Sequence, residues 1–177
     1  MNIENIPNFS QEDFSQLLGF SRETKYDASM EKVISVLEKH CTFPVIEKRR
    51  LFRLTIFNFL IGNEDMHLKN FSLINKDNKI EMSPSYDLIN TTIILNGKEE
   101  IALPIRGKKS NLKRSDLIGY FWMERLELSE SVIEEEIALF KQSFSFWDDL
   151  IAKSFLSPSY QKKYKKVIED RRSKIDW

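Results

Sequence analysis

The chain has 177 residues, of which 41% are hydrophobic and 31% are charged, the balance of a single globular domain with a real core rather than of a disordered chain. Lysine plus arginine and aspartate plus glutamate number 27 each, so no overall charge favours nucleic acid or acidic lipid, and we expect no direct nucleic-acid binding. A single cysteine excludes an intramolecular disulfide, and the absence of a signal peptide or a membrane-length apolar run predicts a cytoplasmic protein with no membrane partner.

Three helices are predicted in the first third of the chain. Ser10 and Asp13 fit a capping box that starts a short helix. Ser29 begins a second helix, whose apolar residues follow helical spacing. A third helix starts at Pro44 and stops at Gly62. Its second half is apolar on nearly every side, which predicts a helix at the centre of the core.

The middle of the chain predicts a small β region. Residues 71–74 and 79–83 flank an Asn/Asp-rich turn, the pattern of a short hairpin. Residues 99–105 have the pattern of one more short strand. Beyond residue 107 the pattern becomes helical again, near 114–125, 129–153 and 158–174. The predicted fold is therefore mainly α with a small β-hairpin region, and the basic face of the last helix is interpreted as a solvated surface.

Polar side chains are concentrated between the third helix and the hairpin. Asp65 and Asn70 have the D-x-x-x-x-N spacing of a kinase catalytic loop, in which the aspartate accepts the proton of the attacking hydroxyl and the asparagine holds Mg²⁺. Kinases place a second metal-binding carboxylate just after a hairpin, and Asp87 follows the predicted hairpin here. This order of helix, loop, hairpin and second aspartate favours phosphoryl transfer.

Each of these residues also has a purely structural interpretation. Asp65 alone is compatible with a turn cap, His67 with a partly buried histidine, and Asp87 with an Asx turn. The D-x-x-x-x-N spacing is common by chance. The chemical interpretation therefore depends on the combination and on its order along the chain.

Four segments of the chain carry a family resemblance. FNFLIGNEDMHLKNFSLI at 57–74 and MSPSYDLINTT at 82–92 resemble the C-terminal, catalytic part of the HipA-like serine/threonine kinases, which are toxins of bacterial toxin–antitoxin systems. Residues 9–27 resemble the segment that precedes this core, and residues 101–121 resemble the segment that follows it. The resemblance covers most of residues 8–125.

The resemblance implies the larger, C-terminal lobe of a kinase-like fold, with ATP and Mg²⁺ as cofactors. Asp65 is the implied catalytic base, and Asn70 and Asp87 are the implied Mg²⁺ ligands. The implied partner is a protein substrate with a serine or threonine hydroxyl. The implied nucleotide-binding residues are His67, Lys69, Asn70, Tyr86 and Asp87.

One part of the kinase machinery is missing from the pattern. The five glycines are scattered, so they form no glycine-rich phosphate loop, and HipA-like kinases carry that loop and a phosphate-binding lysine upstream of the part seen here. Residues 1–177 are therefore expected to be a single C-terminal kinase lobe without the N-terminal ATP-binding lobe, and inactive without it. A separate protein that supplies this lobe is one expected partner, and an antitoxin is another.

Two alternatives to a catalytic lobe stay open. In one, the chain is a catalytically incomplete HipA-like binding module that engages an antitoxin or another partner protein. In the other, it is a structural helical domain in which the loop pattern is accidental. The carboxylates and amide at all three positions favour a catalytic origin, because a scaffold has no physical need for them.

Overall fold

The described part of the chain, residues 11–21, 23–95 and 97–177 of a computed structural model, is mainly helical with one small sheet. The strands are β1 (Gln11–Asp13), β2 (Ser72–Lys76) and β3 (Lys79–Met82). The α-helices are α1 (Phe14–Leu17), α2 (Met30–His40), α3 (Pro44–Ile61), α4 (Thr92–Leu95), α5 (Glu130–Ala152) and α6 (Pro158–Lys174). A 3-10 turn spans Leu68–Asn70 and a π-helix spans Ser115–Arg125. The predicted fold class is confirmed.

The first helix is capped later than the sequence pattern predicts. Asp13 is the N-cap of α1, and its side chain accepts from the N–H of Gln16 at 2.8 Å, while the Gln16 side chain accepts from the N–H of Asp13 at 3.0 Å. This reciprocal pair is a capping box. The predicted box at Ser10 and Asp13 is therefore wrong about Asp13, which is the cap and not the residue that reaches back, and Ser10 lies outside the described residues.

The two helices that follow begin where the sequence predicts, and the second of them also ends there. Ser29 caps α2 through a hydrogen bond from the N–H of Lys32, and Pro44 is the first residue of α3. Gly62 ends α3 in the left-handed conformation, with a φ of 76°. Helix α3 is the central core helix, and its fully buried apolar residues are Leu51, Phe52, Ile56, Phe59 and Leu60.

The sheet is antiparallel with the order β1-β2-β3. The predicted hairpin forms β2 and β3, joined by Asp77 and Asn78 at φ values of 51° and 60°. Two residues with positive φ match the twist of a tight hairpin. The predicted strand at 99–105 is wrong for the described residues, since only an isolated bridge between Ile105 and Lys108 forms there. The strand that completes the sheet beside the hairpin is instead β1, which pairs with β2.

Three helical segments complete the chain, close to the predicted 114–125, 129–153 and 158–174. The first of them is a π-helix, and its last turn includes a hydrogen bond from the N–H of Leu126 to the carbonyl of Phe121 at 2.9 Å. Helix α6 packs against α3, α4 and α5. Among the helices of the described residues, none has the length and apolar character that a bilayer crossing requires.

The burial of α3 predicts a large difference between two truncations in the same helix. Leu60 is fully buried in the core, whereas Val45 near the start of α3 is exposed. Leu60→Ala should lower the free energy of unfolding by about 2–5 kcal/mol, because it removes core contacts and leaves a cavity. Val45→Ala is the matched control and should change it by less than about 0.5 kcal/mol. Urea denaturation measures both, and equal midpoints for the two variants would contradict the central position of α3.

Candidate active site

The loop after α3 begins at a glycine that no other residue replaces without strain. The Gly62 carbonyl accepts hydrogen bonds from the N–H groups of Thr91 and Thr92 at 3.0 and 3.1 Å, and its oxygen lies 2.9 Å from the Thr92 hydroxyl oxygen. A Cβ atom at Gly62 would lie 2.7 Å from Thr92 Oγ1 and 2.9 Å from a methyl carbon of Val167. The end of α3 is therefore joined directly to the chain that follows the hairpin.

The side-chain amide of Asn70 brings the three predicted catalytic positions together. Its Nδ2 donates to the backbone carbonyl of Asp65 at 3.1 Å and to Oδ2 of Asp87 at 2.8 Å. Both bonds use the nitrogen, which leaves the amide oxygen of this buried side chain without a hydrogen bond from the described residues. Asp87 has a φ of 57°, a left-handed conformation that aspartate tolerates better than most residues.

A second asparagine, which the sequence pattern did not single out, joins the same two segments. Asn63 is 1% exposed, and its Nδ2 donates to the backbone carbonyl of Asp87 at 3.1 Å and to Oδ1 of Asn58 at 2.7 Å. Its own Oδ1 accepts from the N–H of Asp65 at 3.0 Å. Asn63 therefore sets the position of the backbone at both predicted carboxylates. The sequence signal that could have identified Asn63 is its position directly after Gly62, the residue that ends α3.

The carboxylate of Asp65 has a partner from a distant part of the chain. The Tyr26 hydroxyl donates a hydrogen bond to Asp65 Oδ1, and the Lys25 ammonium lies 2.6 Å from Nε2 of His67. Burial raises the pKa of Tyr26 to about 12, with the hydrogen bond and charge of Asp65 as the next causes. Lys25 and Tyr26 lie in a segment that resembles the kinase family, but sequence reasoning gave them no role.

His67 is held as a neutral ring within this loop. The side chain is 6% exposed, and burial lowers its pKa first, with the positive charge of Lys25 as the second cause. A neutral ring that accepts at Nε2 from Lys25 carries its proton on Nδ1. That Nδ1 atom is buried and has no hydrogen-bond partner within the described residues.

The remaining two predicted residues meet at the base of the hairpin. The Tyr86 hydroxyl donates to the backbone carbonyl of Lys69 at 2.6 Å and lies 2.6 Å from the Ser72 hydroxyl. The Tyr86 side chain is about one-third exposed, and Lys69 is partly exposed. Tyr86 therefore fastens the segment before Asp87 to the 3-10 turn that ends at Asn70.

Buried charges support the loop from the side of α6. Glu64 accepts from the Thr92 hydroxyl at 2.6 Å and lies 3.7 Å from the Arg171 guanidinium. Arg171 also pairs with Glu100 at 3.0 Å, and all three charged side chains are at most 8% exposed. Burial lowers the pKa of Arg171, and the two glutamates oppose that change. The residue next to Asp65 is thus held by a buried ion network that sequence reasoning did not find.

The donor atoms fit a magnesium ion better than a transition metal. Within residues 11–21, 23–95 and 97–177, no three side chains of His, Cys, Asp or Glu come together in a way that could hold a metal ion. Asn70 and Asp87 supply one amide oxygen and one carboxylate. Mg²⁺ is commonly bound by one or two carboxylates, with phosphate oxygens and water completing its shell. The residues present therefore fit the ion that the resemblance implies.

Comparison with known proteins identifies the family. Residues 5–147 match the model of the HipA-like C-terminal domain. The chain belongs to this family. It is 34% identical over 119 residues to the “Putative kinase Y4mE” of Sinorhizobium fredii, a match that covers 65% of this chain and 28% of the relative. It is 30% identical over 108 residues to the serine/threonine-protein kinase toxin HipA of Shewanella oneidensis, covering 52% of this chain and 25% of the relative.

Solved structures show the same fold as this HipA-like domain. The Shewanella oneidensis HipA, solved with HipB and operator DNA, aligns with a TM-score of 0.76 and 21% identity over 98% of this chain and 47% of that chain. The Helicobacter pylori proinflammatory kinase CtkA aligns with a TM-score of 0.63 and 17% identity over 94% of this chain and 65% of that chain. The chain thus spans less than two thirds of each of these proteins, and the two structural alignments establish the fold.

The contact between Lys25 and His67 predicts the direction of a pKa change. In the wild-type protein the pKa of His67 should lie below 6.5, so the ring is neutral at pH 7. Lys25→Met should raise this pKa, because it removes a positive charge next to the ring. NMR titration of the two histidines measures it, with His40→Gln to assign the signals. Lys32→Met, at an exposed position of α2, is the control. A pKa for His67 that stays constant or falls in Lys25→Met would contradict the proposed contact.

Proposed function

We propose that this HipA-like domain is the catalytic lobe of an ATP- and Mg²⁺-dependent protein serine/threonine kinase. The observation that carries the proposal is the bonding of the Asn70 amide to both the Asp65 loop and the Asp87 carboxylate. A kinase needs a proton acceptor within a short distance of its metal ligands, and this amide keeps them together. The family and the shared fold support the same conclusion.

Each of the three residues has a distinct chemical role in the proposal. Asn70 and Asp87 would hold Mg²⁺, which when bound neutralises charge on the phosphate oxygens. Asp65 accepts the proton of the serine or threonine hydroxyl. As that proton moves to the carboxylate, the hydroxyl oxygen bonds to the γ-phosphorus, and the bond to the ADP oxygen breaks with its electron pair remaining on ADP.

The other predicted nucleotide-binding residues surround this centre. We propose that Lys69 supplies positive charge near the phosphates, consistent with its partial exposure beside Asn70. The buried Nδ1 of His67 without a partner in the described residues supports a polar atom of the nucleotide as its acceptor, because an unpaired buried N–H is costly. Tyr86 is proposed to flank the nucleotide from the Asp87 side.

The proposed reaction requires partners and a further lobe outside residues 1–177. The Shewanella oneidensis relative is named a serine/threonine-protein kinase toxin and was solved with HipB, so we propose a protein substrate and an antitoxin partner for this domain as well. The chain spans 25% to 30% of the length of three curated relatives that are 30% to 37% identical to it, and 47% of that solved HipA chain. We propose that an ATP-binding lobe outside residues 1–177 completes the nucleotide site.

The proposal that the ATP-binding lobe lies outside residues 1–177 predicts weak nucleotide binding by residues 1–177 alone. ATP with Mg²⁺ should bind with a dissociation constant far above about 1 μM, because the contacts of a glycine-rich loop and its lysine are absent. Isothermal titration calorimetry measures this value, with the Asp87→Asn chain as the comparison. Dissociation constants of about 1 μM or tighter for the unaccompanied chain would contradict the proposal of a separate ATP-binding lobe.

Two single substitutions separate catalysis from binding once an ATP-binding lobe is supplied in cis or in trans. Asp65→Asn keeps the size of the side chain but removes the proton acceptor, so phosphate transfer should fall by about 10²–10⁴ with ATP affinity nearly intact. Asp87→Asn should lower both transfer and ATP affinity, because it weakens the metal site. Asp77→Asn, in the hairpin turn, is the control and should retain both.

The readouts are phosphate incorporation into a protein substrate or into the kinase itself, together with nucleotide affinity. Full transfer by Asp65→Asn would remove Asp65 from its role as the base. A binding module predicts instead that neither substitution changes the affinity for its partner protein and that the wild-type complex transfers no phosphate.

A further inference from the structure

The segment between α1 and α2 contacts the catalytic loop at several points. The carbonyl of Lys25 accepts from the N–H of Leu68 at 3.3 Å, and the Lys25 ammonium lies 2.6 Å from Nε2 of His67. The Tyr26 hydroxyl donates to Asp65 Oδ1. The Tyr26 ring also packs edge-on against His67, with 5.1 Å between the ring centroids. The adjacent residues Lys25 and Tyr26 therefore contact the side chains of His67 and Asp65, respectively.

Among the described residues, the Tyr26 hydroxyl is the only hydrogen-bond donor to the Asp65 carboxylate. A side chain on a loop loses rotational freedom when one oxygen is hydrogen-bonded by a donor of fixed position. Tyr26 is such a donor, since it is half-buried and its ring is packed against His67 and lies 4.9 Å below the Lys25 ammonium. The raised pKa of Tyr26 means that its hydroxyl keeps its proton at neutral pH and stays a donor.

We propose that Tyr26 is the positioning residue for Asp65 in phosphoryl transfer. Its hydroxyl holds Oδ1, so that Oδ2 is presented to the serine or threonine hydroxyl whose proton Asp65 accepts. Lys25 assists by holding the neutral His67 ring, two residues further along the loop. This inference rests on the proposed kinase function and adds to it a pair of residues outside the D-x-x-x-x-N pattern and the segment of Asp87.

A purely structural role for Tyr26 makes different predictions from a positioning role. If Tyr26 only packed the segment onto the loop, its hydroxyl would affect stability and nucleotide binding as much as turnover. If it orients Asp65, the loss of the hydroxyl affects turnover and has no further effect once the carboxylate is gone. Tyr26→Phe removes only the hydroxyl oxygen, so the ring and its packing against His67 are retained.

The first test detects the contact without any enzymatic assay. The chain contains five tyrosines, so labelling with 3-fluorotyrosine gives five ¹⁹F NMR signals, and the one lost in Tyr26→Phe belongs to Tyr26. Asp65→Asn should shift that signal, because the acceptor of its hydroxyl changes from a carboxylate to an amide. Asp27→Asn is the matched control at the exposed neighbouring residue and should shift it less. A ¹⁹F chemical shift of Tyr26 that stays unchanged in Asp65→Asn would overturn the proposal.

The second test measures turnover with an ATP-binding lobe supplied. Tyr26→Phe should lower kcat about 10- to 100-fold, as misplacement of a reacting group does, while the KM for ATP stays within about twofold. In the Asp65→Asn background the same substitution should cause no further loss. Tyr160→Phe, at an exposed position on α6, is the control for loss of a tyrosine hydroxyl.

The outcomes separate this proposal from the one on which it rests. An active wild-type protein with full kcat in Tyr26→Phe would overturn the positioning role and leave the kinase function standing. Equal losses in the wild-type and Asp65→Asn backgrounds would show that Tyr26 does not act through Asp65. A wild-type complex that transfers no phosphate would remove the kinase function, and the positioning role with it, whatever the ¹⁹F signals show.

Discussion

The carbonyl of Gly62 accepts hydrogen bonds from Thr91 and Thr92, and this contact holds the end of the core helix against the chain that leaves the hairpin. The glycine turns the backbone in a conformation that costs other residues free energy. The loop after α3 and the segment after the hairpin are bonded a second time, because Asn63 and Asn70 both donate hydrogen bonds to Asp87. The candidate site is therefore held by contacts that leave one oxygen of each carboxylate, Oδ2 of Asp65 and Oδ1 of Asp87, without a hydrogen bond from the described residues.

These contacts explain why so polar a loop lies between two buried segments. Helix α3 provides a fixed base, because its fully buried residues anchor it in the core. Asparagine side-chain amides then bond to the backbone N–H and carbonyl of Asp65 and to the carbonyl of Asp87. A loop held in this way fixes the positions of Asp65 and Asp87 without an ion pair between either carboxylate and a cation of the described residues. Preorganisation of this kind is what electrostatic catalysis demands.

Local signals in the sequence were enough for much of this architecture. Ser29, Pro44 and Gly62 mark helix ends through hydrogen bonding and backbone angles that act within a few residues, and each lies where the sequence predicted. The spacing between Asp65 and Asn70 predicted a loop in which the two approach each other, and they are bonded through the Asp65 carbonyl. The chemical roles of these residues remain predictions.

Other features depend on partners far away in the chain, where no local pattern exists. Strand β1 is three polar residues that become a strand only by pairing with β2. Residues 99–105 have the composition of a strand, but the N–H groups of Glu100 and Ile101 both bond to the carbonyl of Lys109 and form no ladder. The contacts of Tyr26 with Asp65 and of Arg171 with Glu64 likewise join distant segments, so neither is visible from spacing alone.

Helix α6 lies outside residues 5–147, the part of the chain that matches the family, yet its Arg171 lies between Glu64 and Glu100. A fragment cut at residue 147 would divide α5 and remove Arg171, so Glu64 and Glu100, now at most 7% exposed, would lose that cation. The same cut removes α6 from its contact with the central helix α3, so apolar surface that is now covered would be exposed to water, which is unfavourable. The unit that folds around the Asp65 loop is thus longer than the unit that sequence comparison delimits, and expression boundaries chosen from the family alignment would fall inside it.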